Sequence, residues 1–475
     1  MKTDTIAAIA TGLSSAGISI IRISGENAIK IVDKIFCAKR ENFRLEDAGT
    51  HTLHYGIIRE NRGEKKEQSL LDEVLVSVMR APNTYTRENI VEVNCHGGIV
   101  VTKKILDEVI RAGARLAEPG EFTKRAFLNG RIDLSQAEAV SDIIQAKNNM
   151  ALKNSVGQLK GNMYKEISEL RQQILSDMAF IEAALDDPEH ISLEGFARKL
   201  NTNIEVWQRR VRKLLKTAES GRLIKEGIRT VILGKPNAGK SSLLNFMLGE
   251  NRAIVTDIAG TTRDILEENI ILNGISLNIV DTAGIRWTKD TVERIGVDKA
   301  KQAAKDADLI LFVVDSSVRL DENDGEILKS IAGKRVIVLL NKMDLPGMVN
   351  KTDMEQFLNN FGDGCSEKNN WNMICTSTKV GEGLEELENK ITEMFFGGEL
   401  NFNDEIYVTN IRHRIALEET NKSLGQVLES IQMGMPEDFY SIDLMNAYRE
   451  LGSILGEEVD EDLINTIFRE FCMGK

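Results

Sequence analysis

The sequence predicts a multidomain protein of α/β and α class, in which an α/β domain is inserted into a helical domain and an α+β domain precedes both. Three observations carry this. Short β-rich runs alternate with helical stretches over residues 1 to about 118. A helical period runs from about Leu134 to Leu185, and strand–helix alternation fills about 228 to 397 between two helical segments. A chain of 475 residues is too long for one core, so several domains are expected on size alone.

The N-terminal region carries its β signals at Ile18 to Ile23, Leu75 to Met79 and Ile90 to Asn94, which suggests an α+β domain. Further on, apolar residues fall at Leu152, Val156, Leu159, Met163, Ile167, Leu170, Ile174, Met178, Ile181 and Leu185. These steps of three and four predict one long amphipathic helix, or two stacked end to end, stopped by Asp187-Pro188. A second helical piece, roughly 193 to 220, leads into the strand–helix alternation. Helical periodicity returns at about 411 and runs to the C-terminus. The expected domains are 1–118, 119–226, 227–397 and 398–475, with the second and fourth forming one interrupted helical domain.

Hydrophobic residues make up 42% and charged residues 28% of the chain, values of an ordinary globular protein. The longest apolar run, Leu309 to Val314, is strand-sized and far short of a membrane span. Met1-Lys2-Thr3-Asp4 brings an acid at once and lacks the core of a signal peptide, so a cytoplasmic protein is expected. Five scattered cysteines without a C-x-x-C pair read as reduced thiols and argue against a zinc site. A net charge of −13 excludes a protein whose whole surface grips nucleic acid, so any RNA contact must be local or shared with a partner.

Inside the inserted domain, Gly234-Lys235-Pro236-Asn237-Ala238-Gly239-Lys240-Ser241 fits G-x-x-x-x-G-K-[ST]. It follows a predicted strand, Thr230 to Leu233, and opens a predicted helix, Ser242 to Leu248, the context this motif requires. Gly234 and Gly239 let backbone N–H groups close around phosphates, and the helix N-terminus adds its positive end. Lys240 is placed to reach the β- and γ-phosphates, and the Ser241 hydroxyl to ligate Mg²⁺.

Downstream, Asn273-Gly274 is a hairpin signal. The returning strand, Leu277 to Val280, ends in Asp281-Thr282-Ala283-Gly284. There an acid serves the outer magnesium shell and a glycine N–H the γ-phosphate. A further strand, Val336 to Leu340, ends in Asn341-Lys342-Met343-Asp344, whose last carboxylate accepts from guanine N1–H and the exocyclic amine and so selects guanine over adenine. Ser377-Thr378-Lys379 stands where Ser-Ala-Lys usually completes the guanine loop. Together these predict a Ras-like P-loop G domain that binds GTP. Ras-like GTPases carry a glutamine after the D-x-x-G turn to orient the attacking water. Ile285 occupies that place here, so another residue or ion must position the water and compensate charge.

The motif set, with Asp257-Ile258-Ala259-Gly260-Thr261-Thr262-Arg263-Asp264 and the terminal Cys472-Met473-Gly474-Lys475, resembles the MnmE (TrmE) tRNA-modification GTPases. Asp4 to Thr11, Cys95-His96-Gly97-Gly98, Pro119 to Thr123 and Arg125 to Gly130 are similar to that family too. The resemblance runs end to end. It implies that Asn237 and the loop from Thr256 to Thr261, including Ile258, bind K⁺ where other enzymes place an arginine finger. It also implies that Thr262 completes the magnesium shell begun by Ser241. Glu293, in Val292-Glu293-Arg294-Ile295-Gly296, would place the hydrolytic water, with Lys240 and Thr262 as the other catalytic groups.

The same resemblance implies a homodimer through the N-terminal domain, with G domains meeting on GTP binding. It implies a heterotetramer with the flavoprotein MnmG that adds an aminomethyl or carboxymethylaminomethyl group at C5 of the wobble uridine of certain tRNAs. The carbon would come from 5-formyl- or methylene-tetrahydrofolate, held in the N-terminal domain near the C-terminal tail. The residues carried over are Arg22, Glu92, Arg131 and Lys475. A carboxylate such as Glu92 pairs with the amino-pyrimidine face of a pterin, and the cations meet the folate glutamate. The sequence departs from the family at Arg131, where Lys is frequent, and at Leu13-Ser14-Ser15-Ala16, where Pro and Gly are. Cys472 occupies the place of the family's tail cysteine.

Other signals have blander readings. Arg209, Arg210, Arg212, Lys213 and Lys216 fit tRNA phosphates or a solvated helix face, and charge runs on helices favour the latter. His96 reads as a packed or hydrogen-bonded residue, on the face opposite Cys95. The rival to the modification reading is a GTP-switched RNA or ribosome assembly factor without modification chemistry. A third reading makes residues 1–118 a dimerisation scaffold only.

Overall fold

The computed structural model describes residues 4–60, 69–252, 267–280, 304–361, 371–397, 406–457, 459–469, 471 and 474. The chain divides into two compact units. One comprises Met1–Gln145, Ser155–Arg209 and Ala416–Lys475, the other Ala146–Asn154 and Arg210–Ile415.

The first unit begins with a seven-stranded sheet. Its strands are β1 (Ile6–Ile9), β2 (Ala16–Ser24), β3 (Phe36–Ala38), β4 (Thr52–Arg59), β5 (Leu70–Met79), β6 (Ile90–Gly97) and β7 (Arg115–Leu116), in the order β3-β4-β5-β6-β2-β1-β7. All neighbours are antiparallel except β1 and β7. Helices Ala28–Asp33 and Ile99–Arg111 cover one face, where Ile21, Ile23, Val74, Val76, Val78, Val91, Val93 and Cys95 form a core with Ile31, Val32, Ile105 and Val109. Alternation along the strands therefore leaves Ile18, Arg22, Leu53, Tyr55, Leu75 and Glu92 on the other face. Cys95 is buried and His96 exposed, as opposite faces demand.

The helices that follow correct one expectation. The stretch from Leu134 to Leu185 is three helices, Leu134–Gln145, Asn149–Leu159 and Asn162–Asp186. Asn148 accepts from Ala151 N–H and restarts the second, and Gly161 takes a left-handed φ of 90° before the third. Met163, Ile167, Leu170, Ile174, Met178 and Ile181 are buried as their spacing predicted, whereas Leu152 and Leu185 are exposed. Arg171, buried on this third helix, donates to Tyr448 O and Glu457 and stacks on the Tyr448 ring, pinning it to helix Glu437–Leu455.

The second unit holds a six-stranded sheet of β8 (Ile228–Leu233), β9 (Glu267–Leu272), β10 (Ile275–Val280), β11 (Leu309–Asp315), β12 (Val336–Asn341) and β13 (Asn372–Cys375). The order is β13-β12-β11-β8-β10-β9, parallel except for the β9–β10 hairpin. That is the Ras-like arrangement. Asn273 and Gly274 close the hairpin with φ of 47° and 80°, the two positive values that its turn needs.

The central strands β11 and β12 are buried almost throughout, as parallel strands covered on both faces must be. Ile232, Leu311, Val313, Ile337 and Leu339 pack on one side with Leu243, Met247, Leu387 and Ile391. Val231, Ile310, Phe312, Val338 and Leu340 pack on the other with Leu328, Ile331, Met354 and Leu358. Loops at the carboxyl ends of β8, β12 and β13 thus meet where strand order reverses, the place where such sheets bind ligands.

Among the described residues, no helix is long and apolar enough to cross a membrane.

Candidate functional site

β8 delivers the chain into the glycine loop, and the loop's shape depends on what its glycines lack. Gly234 has φ 149°, and a Cβ there would stand 2.2 Å from Val313 O. Gly239 has φ 103°, and a Cβ would stand 2.2 Å from the Asn341 side-chain nitrogen. Asn237 is itself held at φ 65°. Helix Lys240–Arg252 then starts with Ser241 and Ser242 exposed at its first turn, its orphan N–H groups presented to the loop. Lys240 sits in the middle of the curl, donating to Gly234 O at 2.7 Å and Lys235 O at 2.8 Å. Burial pulls its pKa below the ordinary lysine value.

The end of β12 is wired into this loop. Asn341 is buried, donates from Nδ2 to Ala238 O at 3.0 Å, and accepts from Thr378 N–H at 3.4 Å. Lys342, at φ 66°, reaches Asp315 Oδ2 at 2.6 Å. Burial alone would raise the Asp315 carboxyl, but Lys342 and Ser317 hold it below its ordinary value. Met343 N–H donates to Thr376 O. Asp344 accepts from Ser377 Oγ at 2.8 Å, which fixes the plane of its carboxylate. The arrangement unites a phosphate cradle with a preset carboxylate, as a guanine nucleotide requires. The Lys240 ammonium inside the curl and Ser241 at the helix start suit a Mg²⁺-triphosphate.

A second cluster lies on the opposite face of the N-terminal sheet, beside the small core of Ile6, Ala8, Ala117 and Phe122. Arg22 and Glu92 face each other across β2 and β6, joined at 2.8 Å. Arg22 also donates to Gly474 O at 3.1 Å and has the rings of Tyr85 and Phe122 each 5.8 Å away. Arg131 lies over the same Tyr85 ring at 4.5 Å and donates to Tyr85 O. A Cβ on Gly474, φ 88°, would stand 2.5 Å from Ile9 O, so this position fits against the end of β1 only as glycine. Two cations, one carboxylate and an aromatic ring around the chain's end suit a flat heterocycle bearing carboxylates.

Comparison with known proteins decides the family. The model of the "GTP-binding protein TrmE N-terminus" matches residues 5–131, and that of the "MnmE helical domain" matches 134–472. The tRNA modification GTPase MnmE of Lachnoclostridium phytofermentans is 58% identical over all of both chains. That of Acetivibrio thermocellus is 48% identical, again over the whole of each. The chain belongs to the MnmE family of tRNA modification GTPases. Among solved structures, Aquifex aeolicus Era bound to GDP and AlF₄⁻ is 31% identical over 41% of this chain and 66% of that one, with a TM-score of 0.27.

Of the residues expected to serve this family's chemistry, Asn237, Ala238, Gly239, Lys240, Ser241, Ser242, Asn341, Lys342, Met343 and Asp344 come together at one end of the Ras-like sheet. Arg22, paired with Glu92, and Arg131 meet at the Tyr85 ring. Thr256, Asp257, Ile258, Ala259, Gly260, Thr261, Thr262, Asp281, Thr282, Ala283, Gly284, Glu293, Cys472 and Lys475 lie outside the described residues. Sequence reasoning overlooked Asp315, which orients Lys342, and the pair Asp321 and Asp324 beside the glycine loop. Asp321-x-x-Asp324 forms a capping box for helix Glu322–Ser330, and that spacing was its available signal.

Proposed function

We propose that this chain hydrolyses GTP in the service of tRNA modification at C5 of the wobble uridine, acting as a homodimer with an MnmG-type flavoprotein. The observation that carries the nucleotide part is the Asn341–Ala238 bond, which joins a guanine-selecting loop to a phosphate-binding loop in one rigid unit. Ser241 and Thr262 would hold Mg²⁺, which neutralises charge on the β- and γ-phosphates. Asn237 with Thr256, Ile258 and Thr261 would hold K⁺, which compensates charge at the transferred phosphoryl group. Glu293 is assigned the placement of water from the family resemblance, a role that Ile285 cannot fill.

The N-terminal domain, residues 1–118, is assigned folate binding and dimerisation. Glu92 and Arg22 would meet the pterin, and Arg131 and Lys475 the folate glutamate. Tetrahydrofolate would supply a one-carbon unit. Support comes from the convergence of Arg22, Glu92, Tyr85 and Gly474. Dimerisation is supported by Ile18, Leu53, Tyr55 and Leu75, large apolar side chains exposed on the same sheet face. The helical domain of 119–226 and 398–475 would carry the G domain of 227–397.

Nucleoside analysis of tRNA from cells lacking this protein tests the reading. Loss of the C5 group at wobble uridines is expected, and unchanged wobble uridines would leave only a GTP-switched assembly factor.

A further inference from the structure

Lys235, the second residue of the glycine loop, is joined to the rest of the G domain by both its ends. Its side chain passes out of the loop to a pair of acids on the next layer. The ammonium lies 2.7 Å from Asp324 Oδ2 and 3.0 Å from Asp321 Oδ2. Asp324 is buried, and the same Oδ2 accepts from Asp321 N–H at 3.0 Å. Asp321 in turn caps helix Glu322–Ser330 through Asn323 and Asp324 N–H. At its other end, the Lys235 carbonyl receives the ammonium of Lys240 at 2.8 Å. Burial by itself would lower the Lys235 pKa, but the two acids raise it above the ordinary lysine value.

From this geometry we propose that Lys235 is a positioning residue for nucleotide binding, clamping the arch of the glycine loop to the capped start of helix Glu322–Ser330. A buried carboxylate paired with a cation fixes that partner closely, because displacing the cation removes the compensation of the buried charge. The peptide between Gly234 and Pro236 is thereby held where its carbonyl meets Lys240 and where Asn237 takes its left-handed conformation two residues on. Without the clamp, the loop retains its glycines and its phosphate-facing N–H groups but samples other arrangements. Nucleotide affinity then falls by the fraction of time spent in them.

The inference rests on the GTPase reading, and its test separates the two. Lys235→Met alone would strand Asp324 and could simply unfold the domain. The informative variant is therefore Lys235→Met with Asp324→Asn, which removes both charges together. Release of a fluorescent GDP analogue, GTP turnover and thermal melting are measured on the full chain for wild type, this double variant and Lys235→Arg. Release about tenfold faster and a GTP KM raised by about the same factor are expected in the double variant, the loss from one charge-assisted contact. Its melting temperature should stay close to wild type, and Lys235→Arg, which keeps the cation, should keep wild-type release. Wild-type release and KM in the double variant overturn the proposal, as does an effect confined to melting. Wild-type protein that bound no GTP would instead overturn the GTPase reading itself.

Discussion

The side-chain amide of Asn341 spans the mouth of the G domain to the carbonyl of Ala238, 3.0 Å away and 103 positions earlier in the chain. One buried residue thus ties the loop after β8 to the loop after β12, and its oxygen side faces the Thr376 hydroxyl and Thr378 N–H at 3.4 Å. Replacing it by alanine removes the tie and leaves Ala238 O without that donor. GDP affinity should fall by about ten- to a hundredfold, the range for a buried hydrogen bond whose partner is left unpaired. Equilibrium titration with a fluorescent GDP analogue checks this. An unchanged Kd would mean that the two loops hold their spacing independently.

Base selection is the role proposed for the Asp344 carboxylate, which accepts from Ser377 Oγ at 2.8 Å. Guanine offers two donors to it, N1–H and the exocyclic amine. Asp344→Asn presents a donor in place of one acceptor, which clashes with the amine of guanine and matches the C2 carbonyl of xanthine. The variant should lose GTP affinity by at least about a hundredfold, from a polar group left unpaired, and should bind XTP better than GTP. Competition of the two triphosphates against a fluorescent analogue reads the outcome directly.

How far these contacts were legible in the sequence depends on their separation along the chain. Asn273-Gly274 announced its hairpin because the two positive φ values are a demand on those two residues alone. The glycine loop and the Asn341-to-Asp344 loop were legible because each follows its own strand, β8 and β12. By contrast, Arg22 and Glu92 meet only through the register of β2 on β6, which no local pattern encodes, and family resemblance alone proposed them together. The break at Gly161 was hidden because apolar spacing continues across it, and helical period is blind to one left-handed residue. The Lys235 clamp joins residues 86 and 89 positions apart, beyond the reach of any local pattern.

The tail should matter for the N-terminal cluster and leave the G domain untouched. Gly474→Val places a side chain 2.5 Å or less from Ile9 O and strains a φ of 88°. The tail must then lift from β1, and Arg22 loses its Gly474 acceptor. Binding of a reduced folate, followed by calorimetry, should weaken by about tenfold or more on loss of one charge-assisted contact. GTP turnover should stay at the wild-type rate. Parallel loss of both would show that the effect is general unfolding.

Acid should unlock the N-terminal domain at a definite place. Arg125 is buried and donates to Asp4 Oδ1 at 2.9 Å, to Glu121 Oε1 at 3.0 Å and to Glu88 Oε1 at 3.1 Å. Arg115 bridges Asp4 and Glu121 at 2.7 Å to each. For Asp4 and Glu121, burial alone would raise the carboxyl pKa. The guanidinium of Arg115, with help from Arg125 and, at Glu121, from Glu118 N–H, outweighs burial and holds both below their ordinary values of 3.8 and 4.5. A carboxyl depressed in the folded state contributes stability that is complete above its unfolded pKa and is lost as pH falls through the folded one. The network therefore contributes fully above about pH 4.5 and fades below it. Arg125→Met takes away the shared cation, leaving partly buried acids crowded together. The cost should be about 2–3 kcal/mol at neutral pH, below the range for fully buried pairs because Asp4 and Glu88 keep some contact with water. Urea unfolding of both proteins between pH 3 and 7 measures it. The gap between wild type and variant should narrow toward pH 3, since protonated carboxyls no longer need Arg125. A gap independent of pH would assign the role of Arg125 to packing alone.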